Sequence, residues 1–434
     1  MKSSWRDRRG LVAAVVVLVT AAAAALVGIG FEYLGQNAQA MPRSVVRSGP
    51  VADRSRELIA VWKGVVARDP NSFTGWRKLA EARISLARAI GDDGLYHLAE
   101  SDLRRSLALW PADLNIEAQG LLAVVLGAQH RFRESLDLAT RALAQNPNAS
   151  WLLAVQGDAA LALGDYESAT RILARFVKHE PGFAAWTRLA QLEKLDGQES
   201  SARRLLERAR DGYTGSDPEP AAWVRVQIGI LDLERGRLDA AREHFEDALG
   251  ITPDYYLAAE HLAETYEIEG RHELARPWLE RAIQVKRAPD LLLRLAAIEE
   301  RSGHRELGQS LLWEARSALE STCAANPDAH LRAMAEFLLD HPAGPADLTH
   351  ALELARRDAT IRGGIDVDHL LARALRLNGQ LDEAQRHADA SLSRGFAPAD
   401  YWLEAAHIQS ALGQSSEAER LTAHAKSINP YAGR

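Results

Sequence analysis

The sequence predicts an all-α solenoid of stacked helix pairs, and three observations carry that prediction. Apolar residues recur at helical spacing in paired stripes, a glycine separates the two stripes of a pair, and a proline closes many of the pairs. The pattern returns about ten times at a period near 34 residues. Its clearest instance runs from Trp223 to Pro253. Val224, Ile228 and Leu231 form one stripe, Gly236 interrupts, and Leu238, Ala241, Phe245 and Ala248 form the second. The small residues Gly229, Ala241 and Ala248 let helices approach closely, and Pro253 cannot continue the second helix.

Composition is that of a folded chain, with 47% hydrophobic and 26% charged residues. The formal charge of -7 conceals a basic start. Without the first forty residues, 48 basic residues face 57 acidic ones. Such an acidic body argues against general nucleic-acid binding, which needs a basic surface to neutralise phosphates. One cysteine, Cys323, permits neither an internal disulfide nor a Cys-rich metal site.

Residues 1–10 are basic, and Leu11 to Phe31 is a 21-residue run without a charge. As a helix it spans about 31 Å, the thickness of a bilayer's hydrocarbon core, so it is expected to be a transmembrane signal-anchor. The basic flank keeps the N-terminus cytoplasmic and places the remainder on the outer side. The alternative is a leader cleaved after Ala38-Gln39-Ala40. The run exceeds the usual length of a leader core, which favours the anchor, and no cysteine follows it to carry a lipid. Residues 32–50 read as a linker.

The array follows in order. Residues 51–70 hold one amphipathic helix, expected to cap it, and residues 73–430 hold the pairs. The first pair has seven residues more than the pattern, which lengthen its first helix or enlarge the loop Gly91-Asp92-Asp93-Gly94. The second is marked by Leu122, Ala123, Leu126 and Ala142, and the third by Gly157, Gly164, Ala169, Leu173 and Pro181. The fourth runs through Leu189, Ala190, Gly197, Ala202 and Ala209 into an excursion at Asp211 to Pro220, a surface loop or a mild joint. After the Trp223 unit come a sixth (Leu262, Ala263, Tyr266, Gly270, Ala275, Leu279, Ala282) and a seventh (Leu295, Gly303, Ala315) whose second helix reaches Ala325. The eighth is broken at His341 to Pro345. The ninth (Leu371, Ala372, Gly379, Ala384) and tenth (Trp402, Ala406, Gly413, Ala418, Ala425, Pro430) restore the pattern.

These residues resemble the tetratricopeptide repeat (TPR). In the unit from Trp223, Ile228, Gly229, Gly236, Ala241, Phe245, Ala248 and Pro253 fall where that family's pattern places its signature residues, and only Asp232 departs. The resemblance implies a right-handed superhelix whose inner groove is lined by the first helix of each pair. It also implies which positions face the groove. These are Trp151 in the third unit, Trp223, Val226, Ile230 and Leu233 in the fifth, Glu260, Glu264 and Glu267 in the sixth, and His369, Arg373 and Arg376 in the ninth. The groove is thus expected to pass from apolar to acidic to basic. The family's chaperone-binding carboxylate clamp is not expected, because Arg77 and Glu81 stand where it uses Lys and Asn.

Nothing in the sequence suggests catalysis. There is no GxxxxGK loop, no GxSxG elbow, no HExxH and no CxxC. His330, His341 and His350 are spaced too irregularly around a broken turn to read as a metal site. No enzyme activity, cofactor or metal is therefore expected. The expected function is a membrane-anchored, extracytoplasmic scaffold that binds proteins or peptides in its groove during envelope assembly, export or complex maturation. The alternative is an accessory module of an envelope enzyme, for polysaccharide or cofactor assembly, with catalysis on another chain.

Overall fold

Helix pairs joined by tight turns account for nearly all of the chain from residue 51 onward. The structure, a computed structural model, describes residues 51–111, 114–325, 328, 330–395 and 397–433. The expected membrane span at 11–31, the cleavage site at 38–40 and the linker lie outside the described residues. Within the described residues no helix is long and apolar enough to cross a membrane.

Twenty-one α-helices and no strand are found among the described residues. A single helix, α1 (Val51–Arg68), precedes ten pairs. The first five pairs are α2 (Phe73–Ile90) with α3 (Gly94–Leu109), α4 (Ile116–Ala128) with α5 (Phe132–Gln145), α6 (Leu152–Ala162) with α7 (Tyr166–His179), α8 (Phe183–Leu195) with α9 (Glu199–Gly212), and α10 (Pro218–Leu233) with α11 (Leu238–Ile251). The last five are α12 (Tyr256–Ile268) with α13 (His272–Val285), α14 (Pro289–Arg301) with α15 (Arg305–Ala325), α16 (Leu331–Asp340) with α17 (Pro345–Ile361), α18 (Ile365–Leu377) with α19 (Leu381–Ser391), and α20 (Ala399–Ala411) with α21 (Ser415–Ile428).

The turn inside a pair has a fixed chemistry. In the third pair Gly164 adopts a left-handed backbone (φ 75°), and the next amide, that of Asp165, donates back to the Ala160 carbonyl at 3.0 Å. This closes the helix end as a glycine C-cap does. Seven other pairs have a positive-φ glycine at this turn, and in six of them, including those at Gly236, Gly270 and Gly413, the next amide donates back in the same way. The second pair departs. His130 takes the left-handed conformation there (φ 63°), with Arg131 donating to Leu126.

Packing explains the small residues. A side chain at Gly157 would run into Leu173, and one at Gly229 into Phe245. Ala241, Phe245, Ala248, Ala263, Ala275 and Ala282 are all fully buried. Ala418 is only half-buried, because the second helix of the last pair has no following unit to cover it.

The array winds until it touches itself. The turns inside the early pairs lie against the loops between the late ones. Gly164 sits against Gly363 and Gly364, Gly197 against Gly395, and Gly236 against Asn429 and Tyr431. Across this seam the Ile365 amide donates to Tyr166 Oη at 3.0 Å, the Gly363 amide to the Ala162 carbonyl at 3.4 Å, and Asn429 Nδ2 to the Leu233 carbonyl at 3.3 Å. Arg394 pairs with Asp196 while lying 4.3 Å over the Tyr166 ring. The hydrogen-bonded seam partners are separated by 196 to 201 residues, so one superhelical turn takes about six repeats.

The irregular units resolve simply. The extra residues of the first pair chiefly lengthen α2, which has 18 residues where α4, α8, α12 and α18 have 13. The excursion before the fifth pair is partly absorbed into α10, which starts at Pro218 behind an Asp217 cap. It is no free joint. Glu219 is buried, accepts from Tyr255 Oη at 3.1 Å and forms an ion pair with Arg88 of the first unit. The break at His341 to Pro345 is a four-residue turn. Pro345 occupies the first turn of α17, where its missing amide costs nothing, and Asp347 accepts from the Ala343 amide at 2.8 Å.

Candidate functional site

The face expected to line an open groove is largely consumed by contacts between neighbouring units. Trp223, Val226, Ile230 and Leu233 are all buried in the core shared by adjacent pairs, so they offer no surface to a partner. Trp223 meets Phe183 of the preceding unit edge-on, with ring centroids 6.4 Å apart. Trp151 is 3% exposed, its indole lying where a side chain on Gly120 of the preceding unit would stand. Large apolar rings at this position fill the gap between first helices.

The charged stripes are likewise neutralised. In the acidic one, Glu267 accepts from Arg294 of the next unit at 2.9 Å, and the same guanidinium donates to the Glu260 carbonyl at 3.1 Å. Glu264 is buried against His261 at 2.9 Å. Burial raises the Glu260 carboxyl to about 7, with Asp290 adding to the shift. In the basic stripe Arg373 pairs with Asp340 of the preceding unit, and Arg376 with Glu404 of the following one. His369 stacks on Tyr401 with centroids 3.9 Å apart, and burial lowers its pKa to about 3. The most buried link of this kind joins the third and fourth units. Arg188 donates to both oxygens of Asp158 at 2.9 Å and, through its remaining nitrogens, to Asp158 and the Ala184 carbonyl. Opposite charges at matching heights on successive first helices set the register of the stack. Glu267, Arg373 and Arg376 stay partly exposed while making these pairs.

A cavity of about 520 Å³ lies on the inner side, within the roughly 300–1,000 Å³ range of ligand pockets. Both superhelical turns build it. The first contributes Asp92, Asp93 and His130, and the second contributes the loop after α13, helices α14, α15, α16 and α18, and Arg362 just beyond α17. Its mouth is exposed at Asp92 and Asp93 and carries Lys286 and Asp290. Its inner end is buried and combines Leu293, Leu319 and Leu370 with Arg332, Arg362 and His369. Tyr256 and the carboxylates Asp290, Asp93 and Glu260 hold the Lys286 ammonium charged, its pKa raised against the opposing effect of burial. Burial lowers the pKa of both His130 and His330, whose rings meet edge-on at 6.4 Å. Glu336 is raised to about 7 by burial, with Arg332 opposing the shift and Asp340 adding to it.

Of the residues expected to bind a partner, only His369 and Arg373 line this cavity. The histidines His330, His341 and His350 do not converge. His330 faces the cavity, His341 lies against Phe337, and His350 is exposed beside Glu353. No group of three metal-ligating side chains occurs among the described residues. Nothing in the sequence marks Arg332, Arg362, Lys286, Asp92, Asp93 or His130 as neighbours. The one local signal was His130 where other units have glycine.

Fold and cavity together define a helical-repeat scaffold with a ligand-sized chamber on its inner face. Two tetratricopeptide-repeat family models match, one over residues 126–192 and one over 226–291. The chain is a tetratricopeptide-repeat protein. Comparison with curated protein sequences finds no match. Among solved structures, a tetratricopeptide repeat protein from Parabacteroides merdae is 20% identical with a TM-score of 0.39, over 55% of this chain and 92% of its own. The human IFIT1 dimer with PPP-AAAA is 13% identical with a TM-score of 0.44, over 92% and 93%. Yeast Tom70 is 12% identical with a TM-score of 0.37, over 94% and 92%. Similarity at this level extends no activity or ligand to the present chain.

Proposed function

We propose that the chain is a protein-interaction scaffold, held at a membrane by residues 11–31 with its helical array on the outer side, that serves envelope assembly, export or complex maturation. The observation behind the binding surface is the mouth of the cavity. Three carboxylates, Asp92, Asp93 and Asp290, accompany one ammonium, Lys286, at an accessible end of the cavity. Such a rim favours a basic partner segment and speeds its approach by attraction. The repeat family supports protein binding, and the uncharged run with its basic flank supports the tether.

The test is crosslinking and capture from membranes with the full-length chain. Proteins captured by the wild type are expected to be lost from an Asp92→Asn/Asp93→Asn/Asp290→Asn variant and at raised salt. Capture that is unchanged in the variant would sink the assignment of the mouth. Protease accessibility of the array in intact and permeabilised cells tests the topology. Digestion only after the inner membrane is breached would refute the outward orientation.

A further inference from the structure

We propose that the buried end of the cavity binds a small organic acid, its carboxylate on the open edge of the Arg332 guanidinium and its apolar body against Leu293, Leu319 and Leu370. This goes beyond the protein-interaction reading, since it concerns another ligand at the opposite end of the chamber.

Arg332 lies on α16, is 6% exposed and lines the cavity. Its Nε and Nη2 have no hydrogen-bond partner among the described residues. These two atoms form one edge of the guanidinium plane, so their N–H bonds point the same way and match the two oxygens of a carboxylate. The surrounding carboxylates do not close that edge. Glu336 Oε1 is 4.0 Å from Nε, beyond hydrogen-bond reach. Asp340 is paired with Arg373, Asp358 lies 2.6 Å from Arg362, and Asp366 accepts from Tyr401.

A buried, unmatched guanidinium edge is costly to fold around, and a ligand that supplies the missing acceptors removes the cost. Arg362 and Arg373 have Asp358 and Asp340 as their own anions, so the acceptors that are missing are those of Arg332 alone, and a single carboxylate supplies them. Two further buried ring nitrogens without partners among the described residues, His130 Nδ1 and His369 Nδ1, belong to side chains that line the same cavity and can serve a second polar group. The apolar lining requires that the rest of the ligand be hydrocarbon.

Benzoate and benzamide separate charge from shape, being nearly isosteric. Titration calorimetry on the full-length protein is expected to show benzoate binding at least ten-fold tighter than benzamide. Arg332→Met should abolish that ratio. Ala333→Trp is the second variant, since Ala333 is exposed yet lines the cavity, and the indole should fill the chamber. It should weaken benzoate at least ten-fold while the thermal midpoint of the free protein stays unchanged. Equal binding of the two probes, or undiminished benzoate binding in both variants, overturns the proposal. Partner capture is scored separately, so either reading can fail alone.

Discussion

Replacing Gly164 with alanine, and Gly270 with alanine as its counterpart, measures what the contact between superhelical turns contributes. Both glycines turn a helix pair, with φ of 75° and 74°. Each substitution therefore carries the same intrinsic penalty for a left-handed alanine, about 1–2 kcal/mol. Their surroundings differ. Nothing lies within 4 Å of a Cβ built at Gly270, whereas one at Gly164 would be 2.7 Å from the Gly364 nitrogen and 2.8 Å from the Gly363 carbonyl carbon. Those atoms are backbone, so the opposing loop must retreat. It then gives up the Gly363–Ala162 and Ile365–Tyr166 hydrogen bonds, each worth about 0.5–1.5 kcal/mol net. Gly270→Ala is expected to cost about 1–2 kcal/mol and Gly164→Ala about 2–5 kcal/mol. Hydrogen exchange at the Gly363 and Ile365 amides, alongside urea unfolding, reads the two effects separately. Faster exchange at those amides should appear in Gly164→Ala alone. Equal losses of stability with unchanged protection at both amides would refute the seam as an energetic contact.

Two further perturbations follow from the ion pairs. Asp158→Ala strands Arg188, which is 2% exposed, and should destabilise by about 3–5 kcal/mol in urea unfolding, whereas Asp158→Leu/Arg188→Met should recover most of the loss. Glu336 has its folded pKa raised from 4.5 to about 7, so between those values the folded chain holds a proton that the unfolded chain lacks. Stability should therefore fall as pH rises through that window, and Glu336→Gln should flatten the decline. Denaturant midpoints at pH 5 and pH 8 provide the check, and an unchanged slope in the variant would contradict the shift.

The legible and illegible parts of the fold divide by distance along the chain. Gly157, Gly229 and Phe245 could be read because each meets a residue of the other helix of its own pair, about half a repeat away, and the period repeats the requirement. The same periodicity misled the reading of the inner face. Glu267 and Arg376 look like free stripes when each unit is taken alone, yet Arg294 and Glu404 stand one unit further on, at matching height. Trp151 and Trp223 look like contact residues until the gap between successive first helices is seen to need a large ring.

The sequence by itself determined the helix pairs, their glycine turns, the long α15 and the capping helix. These depend on local spacing and on neighbours within about 34 residues. Only the tertiary structure decided that the array closes on itself, because closure depends on a small rotation per repeat summed over about six repeats. No residue encodes that sum. The cavity follows from closure, since Asp93 and His130 join Lys286, Arg332 and His369 only after a full turn brings the second pass of the chain beneath the first.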